Sequence, residues 1–150
     1  MRQILLGFMI LSTFSASAQI ANPVKWNYTA KKTADKTYEI YFSASIDPGW
    51  HLYAQEPGEG PEPTTFAFTK NPLVTPDGSV KEMGKMVKEY DPNFNTTLKY
   101  YSNKVDFVQK VKLKTNAATV VKGTITYMVC NDKKCLPPRD IPFSVKVQGK

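Results

Sequence analysis

Residues 38–46 read YEIYFSASI, and apolar and polar side chains alternate along this run. The apolar set consists of Tyr38, Ile40, Phe42, Ala44 and Ile46. The positions between them hold Glu39, Ser43 and Ser45, together with Tyr41. Successive side chains of a β-strand point to opposite faces, so a period of two indicates a strand with one buried face.

The same alternation recurs on both sides of this run. It appears in the ranges 24–28, 105–113, 121–129 and 143–147. Residues typical of turns separate the runs, as in 47–49, 76–78 and 91–93, and the proline-rich acidic stretch 56–63 is predicted to be a loop. No segment of comparable length carries an apolar stripe with a helical period. About seven or eight short strands with frequent turns predict an all-β, antiparallel β-sandwich.

The N-terminus has the features of a secretory signal peptide. Arg2 supplies positive charge, residues 4–14 are almost wholly apolar, and Ala16 and Ala18 occupy the small-residue positions that signal peptidase reads. The apolar run is too short to span a hydrocarbon core of ~30 Å as a helix. We therefore expect a cleaved signal peptide at 1–18 and one exported, periplasmic domain at 19–150.

The net charge of +7 raises the question of an anionic partner. The lysines are scattered along the predicted strands and do not cluster. This distribution is typical of a solvated surface, and export makes nucleic acid a still poorer candidate. We therefore expect no nucleic-acid partner.

Cys130 and Cys135 are the only cysteines, and an exported pair can be oxidised. Asn131 and Asp132 favour a turn across which the two thiols can meet. A bridge that closes about six residues contributes only ~2 kcal/mol through loop entropy, which is little for a stabilising cross-link.

Two further features bear on the chemistry of this pair. If the alternation of 121–129 continues, Cys130 points away from the core, and Lys133 and Lys134 beside Cys135 favour the attacking thiolate. From the residues alone, a structural disulfide and a redox-active disulfide are equally good interpretations of this pair. The measurements that separate them are the reduction potential and the loss of melting temperature on reduction.

The remaining residues offer little other chemistry. A structural zinc site takes four nitrogen or sulfur ligands, whereas the chain has two cysteines and one histidine, His51. His51 lies on a predicted strand, where a lone histidine is usually a surface or hydrogen-bonded residue. No nucleophile triad or phosphate-binding loop stands out. The sequence therefore predicts no metal, no cofactor and no small-molecule substrate.

Three segments resemble the N-terminal periplasmic domain of the thiol:disulfide interchange protein DsbD. They are YMVCNDKKCLPP at 127–138 with FSV at 143–145, DPGWHLY at 47–53, and YDPNF at 90–94 followed by the tyrosine pair at 100–101. The segments occur in the same order as in that family and extend over most of residues 24–147.

The resemblance implies an immunoglobulin-like sandwich with a redox-active disulfide. The family's domain takes electrons from a thioredoxin-like partner and passes them to periplasmic proteins that carry disulfides. By position, Cys135 would form mixed disulfides with partners and Cys130 would resolve them. Phe94 would sit on a cap loop that shields the disulfide, and Tyr53 would line the site. Asp91 would take the place of a family acid.

The sequence also departs from the best-known members. Four residues separate the cysteines where those members have five, so a tighter hairpin is expected. His51 stands where some members have tyrosine, which would make exchange sensitive to pH near neutrality. We expect a stand-alone domain whose electrons come from a thioredoxin-like donor or a membrane electron carrier.

Three hypotheses follow for the function. The first is an electron relay through a reversible Cys130–Cys135 disulfide. The second is a non-catalytic binding module in which the same disulfide is structural. The third is a metal or copper chaperone that uses the two cysteines and Met128.

Overall fold

A computed structural model describes residues 22–148, so the predicted signal peptide lies outside the described residues. Every regular element in this range is a β-strand. The strands are β1 (Val24–Ala34), β2 (Thr37–Ile46), β3 (His51–Tyr53), β4 (Thr65–Phe68), β5 (Val74–Pro76), β6 (Lys81–Asp91), β7 (Thr96–Leu113), β8 (Thr119–Tyr127), β9 (Val129–Cys130) and β10 (Arg139–Val147). No helix in this range is long and apolar enough to cross a bilayer.

The strands form two antiparallel sheets. The larger sheet has the order β1-β2-β7-β3-β9, and β5 and β6 also pair with β7. The smaller sheet has the order β10-β8-β4. The prediction of an all-β, antiparallel sandwich is therefore confirmed.

The apolar face of β2 forms the centre of the core, as its alternation predicted. Phe42, in the larger sheet, is fully buried and packs against rings of the smaller sheet, with centroids 4.7 Å from Phe143 and 5.0 Å from Phe66. Gly123 makes this packing possible, because a Cβ atom there would lie 2.5 Å from the Phe143 ring. Burying each such ring contributes about 1.5–3 kcal/mol, so this face holds the two sheets together.

The long strand β7 connects the core to the region around the cysteines. Its second half pairs with β2, and its first half pairs with β3 on one edge and β6 on the other. The β6–β7 hairpin turns at residues 92–95, where Asn95 adopts a positive φ of 56°. These pairings place the 92–95 turn and the strand that carries His51 on the same sheet as Cys130.

The run 121–129, predicted as one strand, is divided in the structure. β8 ends at Tyr127 in the smaller sheet, and β9 begins at Val129 in the larger sheet. The chain therefore changes sheets at Met128, immediately before the first cysteine. The stretch 56–63 forms no strand, as its prolines predicted.

Candidate functional site

The two cysteines are joined across a tight hairpin. Cys130 and Cys135 form a disulfide with a Cα–Cα distance of 4.0 Å. The amide of Asn131 donates to the carbonyl of Lys134 at 2.9 Å. The Asn131 side-chain oxygen accepts from the amides of Lys133 and Lys134 at 3.0 and 2.9 Å, as is common for asparagine in turns. The predicted turn at Asn131 is thus present, and it brings the two sulfur atoms together.

Cys130 faces away from the sandwich core, as the alternation predicted, because Tyr127 and Val129 belong to that core and Cys130 does not. Cys130 is nevertheless fully buried, because residues of a second apolar cluster pack against it on this face of the sheet. Cys135, in contrast, is partly exposed. The disulfide therefore joins one fully buried cysteine to one that is partly exposed.

The disulfide belongs to a small apolar cluster separate from the sandwich core. We call this set the cap cluster; it comprises Tyr53, Leu98 and Cys130, with Phe94, Tyr100, Met128 and Cys135 packed against them. Tyr53 and Phe94 meet edge to face, with ring centroids 5.9 Å apart. Phe94, on the 92–95 turn, thus packs against the cluster that holds the disulfide.

A buried hydrogen-bond network lies beside the cap cluster. The Tyr53 hydroxyl donates to Oδ2 of Asp91 at 2.5 Å, and Nε2 of His51 lies 3.3 Å from the same oxygen. Asp91 also accepts from the backbone amide and the side-chain amide of Asn93, at 2.8 and 3.0 Å. The structure thus brings His51, Tyr53 and Asp91 together, although they lie on two strands far apart in the sequence.

The surroundings determine the protonation of this network. Burial and the hydrogen bond to Asp91 raise the pKa of Tyr53 well above its ordinary value. Burial acts to raise the pKa of Asp91, but hydrogen bonds from Tyr53 and Asn93 outweigh it and hold that pKa below its usual range. Burial lowers the pKa of His51 despite the opposing effect of Asp91. At neutral pH the network therefore holds a neutral imidazole, a carboxylate and a protonated phenol.

The cap turn is held from two sides. The Asn93 side chain donates to the Asn131 carbonyl at 3.2 Å, which links the turn to the cysteine hairpin. On the other side, Phe94 packs against Gly60, where a Cβ atom would lie 2.5 Å from the ring and where φ is +115°. The acidic loop 56–62, interpreted from sequence as merely solvated, therefore also supports the cap.

Several members of this site were missed by sequence reasoning. Leu98 follows no turn or motif signal, and Gly60 was counted only as a loop residue. Met128 was considered as a metal ligand, but its sulfur accepts from the amide of Glu62 at 3.4 Å and packs in the cap cluster. Among the described residues, no group of three or more histidine, cysteine or acidic side chains is placed to hold a metal ion.

The melting temperature of the oxidised protein is expected to fall as the pH is lowered from about 7.5 to about 5.5. His51 is the only histidine, and its pKa is lowered in the folded state, so the unfolded chain binds the proton first. Its contribution to stability is complete above the unfolded pKa of about 6.5 and is lost as the pH falls toward the folded-state value. Calorimetry across this range measures the effect.

The matched variant is His51→Phe, which keeps a ring against Tyr100 but does not titrate. The His51 and Tyr100 ring centroids lie 4.3 Å apart, so the replacement ring has a packing partner. Its melting temperature should stay nearly constant over the same range. If the melting temperatures of wild type and His51→Phe fall in parallel as the pH is lowered, the protonation of His51 is not coupled to folding.

Together, the fold and the site define an immunoglobulin-like β-sandwich domain with one hairpin disulfide packed in an aromatic cluster. The family profile for the N-terminal part of the thiol:disulfide interchange protein DsbD matches residues 17–146. The chain therefore belongs to the DsbD N-terminal domain family, as its sequence motifs predicted.

Two solved structures support the fold. The reduced N-terminal domain of DsbD from Neisseria meningitidis aligns with a TM-score of 0.56 and 17% identity, covering 85% of this chain and 87% of that one. The N-terminal periplasmic domain of ScsB from Proteus mirabilis aligns with a TM-score of 0.62 and 17% identity, covering 85% of this chain and 48% of that one. No curated protein matches the chain. The predicted immunoglobulin-like fold is thereby confirmed.

Proposed function

We propose that this protein relays electrons between proteins of the periplasm through a reversible Cys130–Cys135 disulfide. The observation that carries the proposal is the unequal exposure of the two cysteines, with Cys130 fully buried and Cys135 partly exposed. A relay needs one sulfur that partners can reach and a second, adjacent sulfur that only its neighbour can attack. Membership of the DsbD N-terminal family supports the same chemistry.

The exchange proceeds in two displacements. In the reduced protein the Cys135 thiolate attacks a partner's disulfide, which forms a mixed disulfide and releases one partner thiolate. Cys130 then attacks the Cys135 sulfur, restores the internal disulfide and releases the second partner thiolate. Two electrons pass to the partner, and the reverse sequence with a reduced donor regenerates the two thiols.

The partners are proteins. The donor is a thioredoxin-like protein or a membrane electron carrier, and the acceptors are periplasmic proteins that carry disulfides. Phe94 packs against the cap cluster and keeps small oxidants from the disulfide until a partner displaces the ring. No nucleic acid or small-molecule substrate takes part.

The alternative is a binding module with a structural disulfide. Its hairpin is already closed by the Asn131 hydrogen bonds and by the bond from the Leu136 amide to the Val129 carbonyl at 3.0 Å. A bridge across so short and well-bonded a turn adds about 2 kcal/mol at most through loop entropy. This local hydrogen bonding favours the relay over a structural disulfide.

The reduction potential separates these two functions. We expect a value above about −300 mV, because structural disulfides typically lie below that value and exchanging ones above it. Equilibration in glutathione and dithiothreitol buffers, followed by thiol alkylation and mass spectrometry, measures it. The melting temperature of the reduced protein is the companion measurement and should drop only modestly. A reduction potential well below that limit, with a large loss of melting temperature on reduction, would identify a structural disulfide.

A further inference from the structure

His51 and Cys130 are direct neighbours on adjacent strands. β3 pairs with β9 so that His51 lies opposite Cys130 and Leu52 lies opposite Val129. Leu52 and Val129 belong to the sandwich core. His51 and Cys130 therefore share the other face of the sheet, where directly opposed Cβ atoms are about 4.5–5.5 Å apart.

The hydrogen bonds of His51 define which ring nitrogen carries its proton. Nε2 lies 3.3 Å from Oδ2 of Asp91 and 3.3 Å from the Tyr53 hydroxyl. Asp91 is ionised and can only accept, and Tyr53 already gives its own proton to Asp91 at 2.5 Å. Nε2 must therefore carry the hydrogen, and Nδ1 keeps its lone pair and is free to accept a proton.

Cys130 needs such an acceptor. Its side chain is fully buried, and an apolar surrounding disfavours a thiolate. Solvent can take a proton from the partly exposed Cys135, but a buried thiol needs a base within the protein. Resting on the proposed relay, we infer that His51 is the proton acceptor that activates Cys130 for the resolving step, with Asp91 as its positioning residue.

The step balances in atoms and charge. With Cys135 joined to the partner, Nδ1 of His51 takes the proton of Cys130 and the ring becomes an imidazolium paired with the Asp91 carboxylate. The Cys130 thiolate attacks the Cys135 sulfur, the Cys130–Cys135 bond forms, and the bond between Cys135 and the partner breaks. The departing partner sulfur carries both bond electrons and takes a proton from the imidazolium or from water.

Burial lowers the pKa of His51, and the charges around the ring act in the opposite direction. Asp91 and Glu89 from β6 and Asp132 from the cysteine hairpin all stabilise the positive ring. Tyr53 from β3 and Tyr100 from β7 also face it, and both have pKa values raised by burial, so neither ionises near neutral pH. Neither tyrosine can therefore take the proton of Cys130 near neutral pH, whereas a neutral imidazole can.

The test follows the release of thionitrobenzoate from dithiobis-nitrobenzoate by the fully reduced protein. Attack by Cys135 releases the first yellow thiolate in a phase that depends on reagent concentration. Attack by Cys130 on the mixed disulfide releases the second yellow thiolate, in a phase whose rate does not depend on reagent concentration. The variant Cys130→Ser identifies the phases, because it can show only the first.

The decisive comparison is between wild type, His51→Phe and Asp91→Asn. We expect His51→Phe to slow the second phase at least about tenfold at neutral pH, with the difference shrinking at alkaline pH where hydroxide removes the proton. Asp91→Asn keeps the imidazole but removes the negative charge that stabilises the imidazolium, so it should slow the same phase. Met83→Leu, on the same strand as Asp91 but 55% exposed, is the matched control and should react like wild type.

The outcomes separate this inference from the relay itself. A second phase with wild-type rate and wild-type pH profile in folded His51→Phe would overturn the role of His51 and leave the relay intact. If His51→Phe shows no cooperative unfolding transition and is therefore not folded, the second phase of Asp91→Asn is used instead. A wild-type rate and pH profile in that variant would likewise overturn the role of His51. A reduction potential in the range of structural disulfides would overturn the relay, whatever the rates of the two phases.

Discussion

The variant Cys130→Ser is expected to accumulate a covalent complex with a disulfide-bearing protein partner, whereas Cys135→Ser is expected to form almost none. Cys135 is partly exposed and can attack a partner, but without Cys130 nothing resolves the mixed disulfide. In Cys135→Ser the remaining thiol is fully buried beneath the cap cluster and cannot meet the partner's sulfur. We expect the rates of complex formation to differ at least tenfold, which corresponds to about 1.4 kcal/mol of activation free energy.

The measurement uses one defined partner, so that the two variants can be compared directly. A thioredoxin-like protein with its resolving cysteine changed to serine is activated as its thionitrobenzoate disulfide and mixed with each reduced variant. Non-reducing gels report the complex, and the yellow thiolate reports the rate. Equal complex formation by the two variants would contradict the assignment of Cys135 as the attacking thiol. Preferential complex formation by Cys135→Ser would reverse the two roles.

Much of the fold could be predicted because the core-forming strands have one buried and one solvated face. β2 and the second half of β7 show this alternation clearly, and both are buried as expected. β6 was not predicted, because most of its side chains are exposed on both faces and no period of two results. Its place in the sheet comes from pairing with β7, which is a long-range interaction that no local pattern encodes.

The site was predicted less completely than the fold, and for a related reason. The resemblance supplied Cys130, Cys135, Phe94, Tyr53 and Asp91, and the structure places all of them together with His51. The burial of Cys130 could not be inferred, since it depends on packing against Tyr53 and Leu98, which lie far from it in the sequence. The role of Gly60 depends on the close approach of Phe94, 34 positions further along the chain, which composition does not reveal.

The polar network also explains how the cap can be both held and displaceable. The hydrogen bonds of Asn93 to Asp91 and to the Asn131 carbonyl anchor the turn at its base. Phe94 itself is held only by apolar packing, against Gly60 and the Tyr53 ring. A partner that offers its own apolar surface to the ring can therefore replace that packing without breaking the anchoring bonds. This arrangement suits a cap that opens for proteins and stays closed to small molecules.

Replacing this ring is expected to expose the disulfide without unfolding the protein. Phe94→Ala should raise the rate at which glutathione reduces the oxidised protein by about tenfold or more, because about 1.4 kcal/mol of shielding would be lost. The cost in stability should lie well below the 3–5 kcal/mol typical of a fully buried phenylalanine, since Phe94 is only partly buried.

The matched control for Phe94→Ala is Met83→Ala. Met83 lies on β6 of the same hairpin and is 55% exposed, and it is not part of the cap cluster. Rates measured by thiol trapping and mass spectrometry should therefore rise for Phe94→Ala and stay at the wild-type value for Met83→Ala. Phe94→Leu should give an intermediate rate, because leucine restores part of the apolar cover over Tyr53. If Phe94→Ala reacts no faster than wild type while remaining folded, the disulfide is shielded by the buried position of Cys130 alone, and the ring is not a cap.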